Sequence, residues 1–482
     1  LEYAKPIGQG TLTALIGATF QGSDTDSKDI GATGFPSDAL LRNPQAASVV
    51  TVQSVSQSQY RYSAAFGRIN YNWRGKYLVN LTGRRDASSR FGPGNQFANF
   101  GAIGAAWIFT EEPWLKNNTL TFGKLRTSFG TTGSDQIADY GYADLWTTTT
   151  YGYNGSGGLY PMNLANPNYA WEENRKWEVA LETGFWNDKL NVSISYYHHR
   201  SGNQLVGVPL PGITGFSSVQ ANLPAEVQNT GLEVVVSATP IERTNFSWKT
   251  TLNVTLPRNK LIQFPDIKSS SFAYDYIVEK PLTVQPSFHY TGVNPETGFY
   301  QHEDVNNDGA LTFEEDLLGN KSLAQDYFGG FQNTLRYKGL SLDIMIQFVN
   351  QTGRNYLTYF YDRPGAATNQ PAWVMNRWQK PGDNVPIQQF TQGFGDAFTA
   401  NLYNNYSDNR FGDASFLRLK NVSLSYQFPK EMLKKIRMQQ ARLYVQGQNL
   451  ATITNYQGLD PENQSGTLPP LRMMTIGASL TF

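Results

Sequence analysis

Apolar and polar residues alternate along much of this chain, and the period is two. In NRKWEVALETGFW, Trp177, Val179, Leu181, Thr183 and Phe185 fall on one side of an extended segment, and Lys176, Glu178, Ala180 and Glu182 on the other. In KLNVSISYYHH, Leu190, Val192, Ile194 and Tyr196 alternate with Asn191, Ser193, Ser195 and Tyr197. Successive side chains of a strand point to opposite faces, so such runs predict strands with one apolar and one polar face. The pattern returns at Phe246–Val254, at Leu340–Phe348 and at Tyr77–Arg84. The last stretch, LRMMTIGASLTF, shows it again: Met474, Ile476, Ala478, Leu480 and Phe482 alternate with Thr475, Gly477, Ser479 and Thr481. The whole chain predicts about fourteen strands, near 9–20, 60–73, 76–86, 97–110, 119–130, 174–186, 189–200, 229–240, 245–256, 328–337, 340–350, 413–428, 440–452 and 471–482. No long helix is predicted, and PKEMLKKIRMQQ reads as a short basic amphipathic turn at most.

The connections separate into two kinds. Short ones, RGK at 74–76, ND at 187–188, IERTN at 241–245 and KG at 338–339, have hairpin spacing. Long ones cover about 21–59, 131–173, 201–228, 257–327 and 353–412. A soluble sandwich or propeller has no reason to gather its long loops at one end. An outer-membrane barrel does, with short periplasmic turns and long extracellular loops. Tyr71, Trp73, Tyr77, Trp107, Trp114, Trp177, Trp186, Phe246 and Trp248 lie near strand ends, as in an aromatic girdle or as ordinary strand aromatics. The expected fold is all-β, a transmembrane antiparallel β-barrel. Its apolar face meets lipid, and Glu178, Glu182, Lys249 and Asp343 look into a wet lumen.

Composition agrees with this reading. Hydrophobic residues make up 40% and mean hydropathy is −0.44, with no window near the ~18–20 continuous apolar residues of a membrane helix. A barrel with alternating faces has such a soluble-looking average. The 39 basic and 39 acidic residues balance, so the field of a nucleic-acid binder is absent and no nucleic-acid partner is expected. Without cysteine there is no disulfide framework and no thiolate chemistry. LEYAKPIGQG has no initiator Met, basic n-region or apolar h-region, so a leader and further domains are expected upstream.

Four stretches, in order, resemble the SusC/RagA class of TonB-dependent outer-membrane transporters of Bacteroidetes-type bacteria: GRRDASSRFGPGNQFANFGAIGAAW at 83–107, PLPGITGFSSVQANLPAEVQNTGLEV at 209–234, DASFLRLKNVSLSYQFP at 413–429 and ARLYVQGQNLATITNYQGLDPE at 441–462. The resemblance implies that residues 1–482 are the C-terminal portion of one larger barrel, of 22 strands, whose plug and N-terminal domains are not in this chain. It implies a SusD-like surface lipoprotein as lid, TonB acting through the plug, the N-terminal remainder of the barrel as partner, and oligosaccharide or peptide substrates. A siderophore or cobalamin receptor of the same barrel type, or a surface glycan-binding adhesin without transport, are the alternatives.

The sharpest local motif is DVNNDGALTFEE at 304–315, which fits the calcium loop D-x-[DN]-x-[DN]-G-x5-E. Asp304, Asn306 and Asp308, the Ala310 carbonyl, Thr312 and Glu315 take the ligand positions, and Gly309 the tight turn. No flanking EF-hand helices are evident, so the expected role is a calcium-ordered extracellular loop, against a solvated Asx-rich turn. No catalytic arrangement is found: there is no G-x-S-x-G or H-E-x-x-H, and His198, His199, His289 and His302 are the only histidines. The expectation is therefore no enzyme. In the loop at 144–171, Trp146, Tyr151, Tyr153, Tyr160 and Trp171 are candidates to line a ligand cavity, or to pack the loop against itself.

Overall fold

The computed structural model describes all residues except 116–117, 150–153, 155, 318–320, 359–361 and 435–436. Sixteen strands form one antiparallel sheet that follows chain order. Its fifteen principal strands are β1 (Glu2–Ile7), β2 (Gly10–Thr33), β3 (Val49–Trp73), β4 (Tyr77–Ser88), β5 (Phe97–Trp107), β6 (Leu120–Ser134), β7 (Glu172–Phe185), β8 (Leu190–Gly202), β9 (Glu226–Arg243), β10 (Phe246–Gln263), β11 (Gln325–Tyr337), β12 (Leu340–Arg354), β13 (Phe416–Gln427), β14 (Gln440–Thr454) and β15 (Met473–Thr481). A short strand, Phe411–Asp413, pairs with the end of β12. Every one of the fourteen expected strands is found.

The short turns follow local chemistry. Tyr337 pairs with Leu340, so Lys338 and Gly339 alone make that turn, with Lys338 at φ 52°. Arg74 (φ 54°) and Gly75 (φ 70°) turn between Trp73 and its partner Tyr77. Paired left-handed residues match the right-handed twist of the flanking strands. The turn expected at 241–245 shrinks to 244–245, because Arg243 pairs with Phe246 and a bulge between Ala238 and Ile241 absorbs the remainder.

Register turns the alternation into faces. Ile476, Val445, Leu424, Leu342, Leu335, Trp248 and Ile241 are successive partners across β15 to β9. Ile476 is 82% exposed. Nearer the short turns, Tyr426, Leu340, Tyr337 and Phe246 form the next such row. An apolar band bordered by aromatics is what a lipid-facing strand surface requires. Opposite faces carry polar groups, such as Asp343, which accepts from Thr334 Oγ1 at 2.6 Å.

Two expectations are corrected. The segment 21–59 is not mainly loop: β2 has 24 residues and β3 has 25, and they stay paired from Gly10–Trp73 to Thr33–Val49. At about 3.3 Å per residue each spans roughly 80 Å, well beyond an apolar band of about 25 Å. Outside that band both faces are wet, so Ser, Thr, Asp and Gln fill both and no apolar alternation remains to be read. Loop 353–412 contains a ten-residue helix, α1 (Asp396–Asn405), whose Asn-rich sequence has no apolar period.

The chain divides into two compact units: residues 1–105, 128–176 and 201–225, and residues 106–127, 177–200 and 226–482. In the first, Phe91 and Tyr169 are fully buried. In the second, Phe288 is fully buried, 5.3 Å from the rings of both Phe313 and Tyr403.

Candidate functional site

On the polar face of β6 and β7 in the second unit, four charged side chains neutralise one another. Arg126 Nη1 donates to Glu178 (2.6 Å) and its Nε to Glu182 (2.9 Å), while Lys124 Nζ reaches Glu182 at 3.3 Å. The alternation that puts Trp177 and Leu181 on the apolar face puts these carboxylates on the other. Near the opposite end of the sheet, Arg418 on β13 is 2% exposed and forks onto Asp460 (2.5 Å) and Glu462 (2.6 Å), with Nε donating to Thr452 (3.0 Å). Lys420 also reaches Glu462 at 2.9 Å. The loop after β14 is thereby held against the strands. Gln351 Nε2 donates to the Pro461 carbonyl at 2.9 Å, and Tyr456 Oη to the Arg354 carbonyl at 2.6 Å.

The segment 304–316 folds as a tight Asx-rich loop beside the Phe288 cluster. Asp304 accepts from the N–H groups of Asn307 and Gly309, both at 2.8 Å. Asn307 (φ 59°) and Gly309 (φ 85°) are left-handed there. Asn306 Nδ2 donates to Asp308 Oδ2 (3.0 Å) and Glu315 Oε2 (2.5 Å), and its Oδ1 accepts the Asp308 N–H (3.0 Å), so the two carboxylates meet at the Asn306 amide. Ala310 donates its N–H to Asp308 Oδ1 (2.8 Å) and Thr312 its N–H to Asp316 Oδ2 (2.7 Å). Among the described residues no three His, Asp or Glu side chains group closely enough to hold a metal by themselves. A cation here would therefore need the Asn306 and Ala310 oxygens as well, and an all-oxygen donor set of that kind suits a hard divalent ion. Among the described residues no helix flanks the loop.

Sequence reading missed Asp316, the neighbour of Glu315. It is fully buried and also accepts the Val305 N–H at 2.8 Å, which closes the loop on itself. Bonds from the Thr312 and Val305 backbones hold its carboxyl below the ordinary range. His302 is part of a short strand, Tyr300–His302, rather than loop. Its Nε2 is buried without a hydrogen-bond partner, and burial lowers its pKa to about 4 against an opposing pull from Asp408. Burial pushes the Tyr290 hydroxyl up to about 12. Asp408 accepts from the Tyr290 N–H (2.9 Å) and faces His289 Nδ1 (2.9 Å). His198 Nε2 meets Gln228 Oε1 at 3.0 Å.

Of the candidate ligand aromatics of 144–171, the three described ones are placed differently. Trp171 packs on Phe91 (4.9 Å) and Phe100 (5.9 Å) and donates to the Gln96 carbonyl (3.2 Å), so it holds its own loop. Trp146 and Tyr160 are exposed, on the strand pair Trp146–Thr148 and Leu159–Pro161. Tyr151 and Tyr153 lie outside the described residues.

Comparison with known proteins agrees with this architecture. Residues 3–450 match the model of the TonB dependent receptor-like β-barrel. TonB-dependent receptor P3 of Formosa agariphila is 27% identical over 530 residues, covering 100% of this chain and 52% of that protein. TonB-dependent receptor SusC of Bacteroides thetaiotaomicron is 26% identical over 521 residues, covering 100% and 49%. The solved RagAB peptide transporter superposes with a TM-score of 0.85 at 25% identity, covering 100% of this chain and 54% of that one. The chain thus spans about half the length of the relatives it matches. With its lipid-type outer band, charged inner face and strand-by-strand order, the chain belongs to the TonB-dependent receptor β-barrel family, is SusC-like within it, and resides in the outer membrane.

Proposed function

We propose that this chain is the C-terminal barrel portion of an active nutrient importer, the SusC-like member of a SusCD-type complex. Its cargo is peptide or oligosaccharide. A SusD-like surface lipoprotein lids the barrel, and TonB supplies energy through a plug carried by the rest of the protein. The observation that carries this reading is the agreement in backbone over the whole chain with a peptide transporter. The polar inner face supports it, since a wet lumen lets cargo pass without covalent chemistry. Deleting the locus and measuring uptake of labelled peptides and oligosaccharides tests it. Loss of uptake of one class is expected. Normal uptake of both, with loss of iron-chelate or cobalamin uptake, would transfer the barrel to the siderophore and cobalamin receptors.

We also infer that calcium orders loop 304–315, held by Asp304, Asn306, Asp308, Thr312, Glu315 and the Ala310 carbonyl. The two carboxylates of Asp308 and Glu315, gathered at the Asn306 amide, support this. Calcium supplies charge that fixes the loop, and nothing more. Isothermal titration of the chelator-washed transporter should give one site that Glu315→Gln abolishes. Equal protease resistance of the loop with and without chelator would refute it.

A further inference from the structure

A cavity of about 360 Å³ lies in the second unit between α1 and the loop segment 362–374. Its polar lining is rich in amides: Asn369, Gln370, Asn401 and Asn404 line it together with one carboxylate, Asp362. Among the described residues no Lys, Arg or His lines it. The loop wall is held by its own bonds. Gln370 Oε1 accepts the Gly365 N–H (3.0 Å) and its Nε2 donates to the Arg363 carbonyl (2.8 Å). Thr368 Oγ1 donates to Asp362 Oδ2 at 2.8 Å, which orients the carboxylate and leaves Oδ1 open among the described residues.

α1 supplies the other wall, and its amides point to a ligand. Asn401 and Asn404 are three positions apart, so they share one helix face. Asn404 is 5% exposed; its Oδ1 accepts from Ser407 Oγ (3.2 Å) and Asn409 Nδ2 (3.1 Å), while its Nδ2 donates to no described residue. Asn401 is 8% exposed, and its amide makes no hydrogen bond to any described residue. Asparagine is a poor helix former, and buried polar groups are almost always paired. Two such residues in one helix, with unused groups on a shared cavity, call for an occupant that pairs them.

The unused groups are donors on Asn401 and Asn404 and acceptors on Asn401 and Asp362. A hydroxyl gives one hydrogen bond and accepts two, so neighbouring hydroxyls satisfy both kinds at once. A carboxylate, from a peptide terminus or an acidic sugar, would meet no cation here. A peptide ammonium would suit Asp362 and leave the amide donors unused. We propose that this cavity holds one neutral sugar unit of an oligosaccharide, with Asn401 and Asn404 donating to its hydroxyls and Asp362 accepting from one. The proposal rests on the importer reading above and narrows its cargo to neutral oligosaccharide.

The test uses the intact transporter complex in detergent. The probes are neutral tetrasaccharides of gluco, manno, galacto and xylo configuration, tetragalacturonic acid and tetra-alanine. At least one neutral tetrasaccharide should bind. Asn404→Asp keeps both accepted bonds and removes the donor, and Asn401→Ala removes the second amide. Each should weaken that binding about tenfold with the unfolding temperature unchanged. Wild-type affinity in both variants would overturn the site and leave the importer reading standing. Failure of every neutral tetrasaccharide would overturn the sugar assignment, and binding of tetra-alanine that Asn404→Asp weakens would transfer the cavity to peptides. If no probe binds and deletion of the locus leaves uptake unchanged, the importer reading itself fails.

Discussion

Replacing Arg418 by Ala should be among the most damaging single changes in the second unit. Arg418 is 2% exposed and neutralises Asp460, whose side chain is 5% exposed, and Glu462, at 36%. Removing one partner of a buried ion pair leaves an uncompensated charge, at about 3–5 kcal/mol. Glu462 contributes little to that cost, because Lys420 still reaches it at 2.9 Å. Asp460 carries most of it: its Oδ1 accepts the Glu462 and Asn463 N–H groups, both at 3.0 Å, and its Oδ2 is left facing the cavity of the missing guanidinium. Glu462→Gln is the control, since loss of a half-exposed pair changes stability by no more than about 1 kcal/mol. Heat-modifiable gel mobility reads barrel stability, and thermolysin cleavage within 455–472 reads loop release. Arg418→Ala should lower the unfolding temperature and expose the loop, while Glu462→Gln does neither. Indistinguishable behaviour of the two variants would refute the claim that the fork holds the loop.

Three further outcomes follow from particular positions. Val445 is on the outward apolar row and Gln446 beside it faces inward, so Val445→Arg should cost about 2–4 kcal/mol near the midplane and Gln446→Arg close to none; equal levels of folded barrel in the outer membrane would contradict the assigned faces. His302 stays neutral in the folded protein down to about pH 4, whereas an unfolded histidine protonates near 6.5. Above pH 6.5 the histidine is neutral in both states and adds no pH dependence, and stability falls as pH drops from 6.5 toward 4, by about 3 kcal/mol in all. Hydrogen exchange around residues 288–316 should rise over that window in the native protein and much less in His302→Phe; an unchanged pH profile in the variant would refute the assignment. Asp316→Ala leaves the Val305 and Thr312 N–H groups without their acceptor, at about 1–3 kcal/mol, and should open loop 304–316 to protease even with calcium present.

The strand order and the two faces were readable because a period of two survives wherever one face meets an apolar phase and the other water. That signal ends where both faces are wet. The paired extension of β2 and β3 holds through backbone bonds between Ser-, Thr- and Asp-rich segments, and periodicity does not see backbone bonds. β1, EYAKPI, was missed because it shows no apolar–polar alternation and Pro6 interrupts it without an N–H for the ladder. The Arg418 cluster joins residues 42 and 44 positions apart, and the LDPE of the C-terminal motif showed the acids without their partner. An arginine inside the strand FLRLKN was the available clue, since a strand charge facing protein demands a counter-charge. Of the candidate site, the Asx spacing of 304–315 was legible because each ligand position is local. Asp316 was masked by its neighbour Glu315, and its role depends on accepting backbone N–H groups that no spacing motif displays.

Extraction of outer membranes in mild detergent, followed by mass spectrometry of everything that co-purifies with this chain, tests the central claim most directly. The account predicts recovery from the outer-membrane fraction with plug-bearing sequence, a surface lipoprotein and bound peptide or oligosaccharide. Recovery of the chain alone in the soluble fraction would contradict it.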